Sequence, residues 1–482
     1  MSRKKQHAAT AVLIVAIGVV YAVTFRPGQD WGDDFAAYIN NARNIVEGLP
    51  YGATTYVPNP TYPFLPSITP PGFPLLLAPV YRLFGLNLNA MKVEGLLFLL
   101  VALFLVATVF ARDLPRSSRW LLVTALAFHP LIWDLKDRIL SDVPFLVFVL
   151  LALWQIERLD RDEKRDGADY IGDALAGTVM FAAFLTRQLG IVLPCALLLR
   201  DLLYSRTLSA RSLRILSTFG ALVILQVVLV PPDRTTVERL PGSLAAILQN
   251  ARSFAAASSA LWSVGDMRLL NILAAYVVGG AAALGVAIRF RTTDGASVLE
   301  YVFVLYVLAL MCFTAHMHVR YLLPLLPLLL YYSIVGMTAA RKWRPWTGNA
   351  ALAAWIAAVA SIAMTSTGAY EAEAVAPRVD SPTATEMLQH VRQGTTQSDL
   401  VVFGHPRALA LLSGRRTTLF YPDTDANLFA FWERIGASYL LAGPPGDETG
   451  EMVALLRRHP HRFVLEWSNP EFRLYRLSRR ER

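Results

Sequence analysis

IGDALAGTVMFAAFLTRQLGIVLPCALLLR (171–200) is the stretch whose reading decides the architecture. Its thirty mostly apolar residues exceed the roughly 17–25 that cross a hydrocarbon core. The run is interrupted by Thr186, Arg187 and Gln188, so two short helices meeting at a polar vertex are expected, and the segment then crosses twice. Counted so, with Arg3, Lys4 and Lys5 inside, the basic loops at 112–119, 157–165, 200–214, 289–291 and 341–344 all fall on the cytoplasmic side, as the positive-inside preference requires. A single crossing would send three of them outward. The other apolar runs lie at about 8–25, 86–111, 118–133, 142–157, 211–231, 269–288, 297–315, 320–338 and 348–368. The expectation is an α-helical polytopic membrane protein of about eleven transmembrane helices.

Composition agrees. The 482 residues are 55% hydrophobic and 17% charged, with a mean hydropathy of +0.42, too apolar for a soluble protein and too long for a single-span anchor. The net charge of +9 records loop orientation: the arginines are scattered singly among the spans and form no stripe for nucleic acid. The run from Ala8 to Phe25 is long, and TFRPGQDW after it offers no small-residue cleavage site, so it reads as the first span and not as a signal peptide. Cys195 and Cys312 sit in apolar runs, which argues against a disulfide framework or a thiolate metal site.

The organisation read from the chain is a transmembrane region over 1–370, with external loops at 26–85 and 231–268, followed by a small α/β domain over 381–482. The first loop, rich in proline and aromatic residues, is expected to lie on or slightly in the membrane. The second carries a possible surface helix near 244–257. In the tail, LVVFG (400–404), TTLFY (417–421), SYLLAG (438–443), RFVLEW (462–467) and FRLYRL (472–477) alternate with helical patterns near 383–393, 406–413, 425–435 and 449–458. It has no glycine-rich phosphate loop and reads as a folded appendage that binds or shields something.

Three outer-face clusters carry the candidate chemistry. In DWGDDFAAYINNARNIVEGLPY (30–51) the apolar positions Phe35, Ile39, Ala42, Val46 and Leu49 recur at helical spacing, and Gly48 is a plausible terminator. Asp34, Tyr38 and Asn41 follow at i, i+4 and i+7, so a carboxylate, a phenol and an amide share a face, while Asp33 points elsewhere. Either Asp suits an N-cap or first turn; two in succession leave one to cap and one to work. In HPLIWDLKDRILSDVPFLVFVLLAL (129–153), Asp134, Lys136, Asp137, Arg138 and Asp142 gather on the same side, a pattern that interfacial ion pairing with a cap at Ser141 or Asp142 also accounts for. In HMHVRYLLPLLP (316–327), His316, His318, Arg320 and Tyr321 face outward, as does Arg187 at the hairpin vertex. Such cations suit a phosphate; snorkelling is the plainer account of Arg320 and Tyr321, and HxH without a third ligand is a weak metal signal.

The DD-x3-Y-x3-A helix (33–42), TPPGFPLLLAPVYRLFG (69–85), LSDVPFLVF (140–148), FLTRQLGIVLP (184–194) and RYLLPLLPLLL (320–330) together resemble the GT-C glycosyltransferases that use polyprenyl-phosphate sugars, near the protein O-mannosyltransferases and the lipid A aminoarabinose transferases. The resemblance covers about 1–340 in scattered motifs, and the tail resembles the small extracytoplasmic domain of many bacterial members. It implies an essential acidic residue on the first external loop, matched by Asp34 with Asp33 adjacent, and a second on the next, matched by Asp142. Relatives often carry Asp-Glu at the first motif, whereas Phe35 follows Asp34 here. It also implies that Arg187 and Arg320–Tyr321 face the lipid phosphate.

The expected reaction moves a sugar from a polyprenyl phosphate, in bacteria undecaprenyl phosphate, to an acceptor hydroxyl on a glycan, lipid or protein. Asp34 is the candidate base, and Asp142 orients the acceptor or holds a divalent ion if one is used. Arg187 and Arg320 receive the phosphate. Tyr38, Asn41, Lys136, Arg138, His318 and Tyr321 complete the candidate substrate-binding set. Abundant Arg and Ala, a short N-terminus and no retention signal suggest a bacterial inner membrane, with the N-terminus cytoplasmic and the tail outside. Two other classes remain open. A transporter or lipid flippase would show repeats and midplane charges, neither of which is legible. A non-enzymatic scaffold or sensor would lose function on tail deletion but not on Asp34→Asn.

Overall fold

A computed structural model describes residues 3–62, 65–166, 169–229, 244–262, 268–292, 297–312, 318–368, 378–443 and 450–478. His316 and the parts of the 231–268 loop before 244 and at 263–267 lie outside the described residues. The helices are, in chain order, α1 (Arg3–Val23), α2 (Asp33–Glu47), α3 (Gly72–Phe84), α4 (Leu88–Val109), α5 (Arg116–Ala127), α6 (Pro130–Leu135) and α7 (Asp142–Asp166). Then come α8 (Tyr170–Thr186), α9 (Val192–Arg200), α10 (Ala210–Leu229), α11 (Leu244–Ala260), α12 (Arg268–Thr292), α13 (Val298–Met311), α14 (Leu326–Trp343) and α15 (Pro345–Gly368). The last four are α16 (Pro382–Gly394), α17 (Pro406–Ser413), α18 (Asp425–Ile435) and α19 (Gly450–Arg458). The chain forms two compact units: Met1–Phe25 with Val93–Ala372, and Arg26–Lys92 with Glu373–Arg482.

The first unit is helical. Among the described residues, four helices are long and apolar enough to cross a membrane, over Leu88–Val109, Ala210–Leu229, Ala274–Arg291 and Val319–Trp343. Shorter apolar helices cover Ala8–Val23, Gly72–Phe84, Tyr170–Thr186, Val298–Met311 and Leu352–Ser361. The expected break in 171–200 is present: α8 stops at Thr186, Arg187 is extended (φ −149°, ψ 133°), and a 3-10 turn at Gln188–Ile191 leads into α9. The apolar run at 118–133 is divided between α5 and α6. Pro130 has no N–H to continue a helix, and His129 begins the next one, its Nδ1 accepting from Leu131 N–H at 3.2 Å. Helices α12 and α14 cross closely through Gly285 and Gly336. A Cβ on Gly285 would stand 1.9 Å from the Tyr332 carbonyl oxygen, and one on Gly336 2.1 Å from that of Ala281. Small residues admit such backbone approach where lipid provides no hydrophobic drive.

The second unit is built on a six-stranded sheet of β1 (Tyr56–Val57), β2 (Leu400–Phe403), β3 (Arg416–Leu419), β4 (Ala437–Ala442), β5 (Phe463–Ser468) and β6 (Arg473–Leu477), in spatial order β1-β3-β2-β4-β6-β5. β1, β3, β2 and β4 run parallel to one another, and β6 is antiparallel to both β4 and β5. All four residues of β2 are buried, as expected of a central parallel strand covered on both faces. Leu400 and Val402 join Leu428, Phe431, Trp432, Leu440 and Leu455 in one core. On the other face Phe403 meets Trp31, ring centroids 5.5 Å apart.

Trp31 and β1 both come from the first loop. Tyr56 and Val57 pair with Thr417 and Thr418, Thr417 N–H donates to the Thr55 carbonyl at 3.1 Å, and Asn59 Nδ2 donates to the Leu419 carbonyl at 3.2 Å. The sequence reading kept 26–85 with the membrane region; in the structure 26–92 folds with the tail. A two-residue edge strand carries no periodic signal, and its partner lies far along the chain. The hydrogen bonds are those that a buried strand edge requires.

Candidate active site

The carboxylate pair lies in the sheet-bearing unit. Helix α2 starts after Gly32, which makes no side-chain cap, and Asp33 and Asp34 form its first turn. Gly48, in the left-handed region (φ 67°), ends it with its N–H on the Asn44 carbonyl. Asp33 does not cap its own helix: its Oδ1 accepts from Ala408 N–H at 3.0 Å, so it caps α17. That helix begins after His405 with no side-chain cap of its own, and a carboxylate there meets both the orphan N–H groups and the positive end of the dipole.

Asp34 is held from the same place. Arg407 Nη2 donates to Asp34 Oδ1 at 2.9 Å, its Nε stands 4.0 Å from Asp33 Oδ2, and its Nη1 donates to the Pro66 carbonyl at 3.4 Å. Side-chain exposure separates the two acids, 33% for Asp34 and 7% for Asp33. Burial pushes the Asp33 carboxyl up to about 6, against the pull of Arg407, His405 and the Ala408 N–H.

Neighbours on α2 divide by role. Asn41, expected beside Asp34 and Tyr38 in a pocket, is fully buried and engages all its polar capacity: Nδ2 donates to the Tyr51 and Ser67 carbonyls, and Oδ1 accepts from Thr69 N–H and Thr69 Oγ1. It ties the loop to the helix. Tyr38 packs edge-on against Phe73 of α3, centroids 5.0 Å apart. The short bond from Lys92 Nζ to the Gly28 carbonyl, with a second to that of Arg26 at 2.5 Å, fixes the approach to α2.

In the helical unit a second set surrounds Asp142 at the head of α7. Asp142 Oδ1 is 2.9 Å from Arg187 Nη1, which also donates to Ser141 Oγ at 3.2 Å. Asp142 Oδ2 is buried and accepts no hydrogen bond among the described residues. The guanidinium of Arg187 lies 5.2 Å and that of Arg320 5.5 Å from the Tyr321 ring centroid, distances at which a cation is attracted to the ring face. Tyr306 donates to the Tyr321 carbonyl at 3.3 Å. His318 Nδ1 accepts from Arg320 N–H. Four of the expected residues, Asp142, Arg187, Arg320 and Tyr321, are thus neighbours.

Lys136 and Arg138 are otherwise engaged. Lys136 is buried, its Nζ donating to Asp137 Oδ2 at 2.8 Å and to the Thr24 carbonyl at 2.6 Å. Arg138 pairs with Asp134 at 2.9 Å. No group of three His, Cys, Asp or Glu among the described residues is arranged to hold a metal ion.

Arg407 is the residue that sequence reasoning passed over. A signal existed: it is the one charge in the helical stretch PRALALLS (406–413), and it stands in a first turn, where the dipole disfavours a cation. A buried arginine there requires carboxylate partners.

Known proteins resemble this chain in part of its sequence and in its fold. A profile of the dolichyl-phosphate-mannose-protein mannosyltransferase family matches residues 69–231. A search of curated proteins found no match. Among solved structures, ArnT from Cupriavidus metallidurans bound to undecaprenyl phosphate is similar over 97% of both chains, with TM-score 0.58 and 14% identity. The oligosaccharyltransferase AglB from Archaeoglobus fulgidus, in complex with an inhibitory peptide and a dolichol-phosphate, is similar over 100% of this chain and 75% of its own, with TM-score 0.58 and 12% identity. The chain therefore shares the fold of these two membrane transferase structures along almost its whole length.

Proposed function

We propose that this protein is an integral membrane glycosyltransferase that moves a sugar from a polyprenyl-phosphate donor to an acceptor hydroxyl on the extracytoplasmic face, with Asp34 as the base. The observation that carries the reading is the end-to-end likeness to ArnT bound to undecaprenyl phosphate, covering 97% of each chain, in a chain whose first loop presents a partly open carboxylate. The choice of Asp34 over Asp33 is supported by exposure: Asp33 is buried and bonded to Ala408.

In this reading the acceptor oxygen attacks C1 of the sugar and the bond from C1 to the phosphate oxygen breaks. Asp34 takes the hydroxyl proton, and polyprenyl phosphate leaves with the negative charge. Arg187 and Arg320 are the proposed partners of that charge. Arg187 already pairs with Asp142, so a phosphate would compete for it and free Asp142 to orient the acceptor. About eleven crossings with the tail outside, in a bacterial inner membrane, complete the proposal.

The test is native mass spectrometry of the purified protein and its Asp34→Asn variant for co-purifying lipid, followed by incubation with that lipid and cell-envelope acceptors. The expected result is that wild type holds a polyprenyl-phosphate sugar and releases polyprenyl phosphate as the sugar moves, while Asp34→Asn binds the lipid and loses about 100-fold or more in rate. Transfer by Asp34→Asn at the wild-type rate removes Asp34 from the chemistry, and absence of any prenyl lipid removes the transferase.

A further inference from the structure

We infer that Arg407, carried by the tail, is a positioning residue for the transfer: it holds the Asp34 carboxylate in orientation and in its ionised form, which makes the C-terminal segment a working part of the catalytic apparatus. The inference rests on the reading of Asp34 as base, and it concerns a residue 373 positions away in sequence.

Three observations support it. First, the guanidinium has no role within its own helix. At 6% side-chain exposure it is buried beside the N-terminal end of α17, where the dipole opposes it, and the partners that make this tolerable are Asp34, Asp33 and the Pro66 carbonyl. Burying a cation without such partners is strongly destabilising.

Second, the chain's own first loop occupies the place where an open parallel sheet normally receives a ligand. β2 leads through α17 to β3 on one side, and β4 lies on the other, so the carboxyl end of β2 is a point where strand order reverses. Trp31 packs there against Phe403, His405 and Phe472, and Asp33 receives the α17 N–H where an anion would bind. The sheet therefore acts as a clamp on the acidic segment. Third, the clamp fixes one acid and steers the other: Asp33 is anchored through backbone, and Asp34 receives one charge-assisted bond while remaining a third exposed.

The groups that face this pair can be named by element. On α2 they are Asp33 and Asp34 themselves; at the head of α17 they are His405 and Arg407. Tyr56 of β1 interacts with Arg407 and Asp33. The tyrosine of α3, Tyr81, meets Glu47 at the opposite end of α2. Arg407 is the permanent cation among them, so its removal withdraws the charge that favours the carboxylate form.

The experiment measures kcat, KM and the pH dependence of undecaprenyl phosphate release for full-length wild type, Arg407→Met, Arg407→Lys, Asp34→Asn and the Arg407→Met/Asp34→Asn double variant. The donor is the lipid-linked sugar that co-purifies with wild type. Arg407→Met is expected to lower kcat about 10-fold or more, leave donor KM within about twofold, and move the acid limb of the rate profile up by about one pH unit. Arg407→Lys restores part of both, and Arg407→Met adds nothing on the Asp34→Asn background.

Wild-type kcat and acid limb in Arg407→Met overturn the inference, as does a further loss in the double variant. If Arg407→Met does not fold, Arg407→Lys carries the test, and an unshifted profile with reduced melting temperature overturns it. Transfer by Asp34→Asn at the wild-type rate is a separate outcome: it removes the underlying reading, and the inference with it.

Discussion

Asp33 and Asp34 are adjacent in sequence and opposite in circumstance. Asp33 is buried, and its carboxyl is raised from 3.8 to about 6. A raised carboxyl pKa means that the fold prefers the protonated form: the stability Asp33 contributes is fully present below about pH 4 and is lost as pH rises through about 6. Asp33→Asn keeps an oxygen for the Ala408 N–H and cannot ionise. Its stability relative to wild type is therefore expected to increase from pH 4 to pH 7, by about 1.4 kcal/mol for each unit separating the folded and unfolded values. Melting temperatures of both proteins in detergent across that range measure it, and a gap that stays constant with pH would count against the burial argument.

At the scale of elements, the shapes of contact faces set how closely α12 and α14 approach. Gly285 on α12 and Gly336 on α14 meet where any Cβ would strike a carbonyl oxygen of the facing helix. Gly336→Ala is expected to force the pair apart and lower stability by about 1–3 kcal/mol, read as a drop in melting temperature with the lipid-binding stoichiometry of surviving protein unchanged. An unaltered melting temperature would mean that these helices separate at little cost. The same logic explains why the run at 118–133 is divided: its hydropathy is continuous enough for a span, but Pro130 cannot donate to the previous turn, and α6 begins there.

At the scale of the whole chain, the tail and the first loop share one sheet, so a lesion deep in one should be felt in the other. Trp432 packs in one core with Leu400 and Leu440, against which Val57 of β1 also rests. Trp432→Ala, which costs about 3–5 kcal/mol in a well-packed core, is expected to speed amide hydrogen exchange in residues 55–57 and 33–44 along with β2 and β3. Faster exchange confined to 400–478 would show that the two segments open independently. Much of this molecule was legible beforehand. Hydropathy located the apolar helices, the polar vertex at Thr186–Gln188 marked the end of α8, and the strands and helices of the tail lie within about two residues of their patterns, because helix and strand periods are local properties of a few turns of chain. The spacing of Asp34, Tyr38 and Asn41 showed which residues share a helix face, but not that Asn41 would be saturated by Tyr51, Ser67 and Thr69. By itself the sequence determined the apolar helices, the amphipathic acidic helix and the places of the strands along the tail. Only the tertiary structure decided that β1 would close the edge of a sheet formed by the other end of the chain, and that Arg407 would grip Asp34 across 373 residues. Such contacts have no period and no fixed spacing; they arise from the need to pair a buried charge and an open strand edge with whatever the fold brings near.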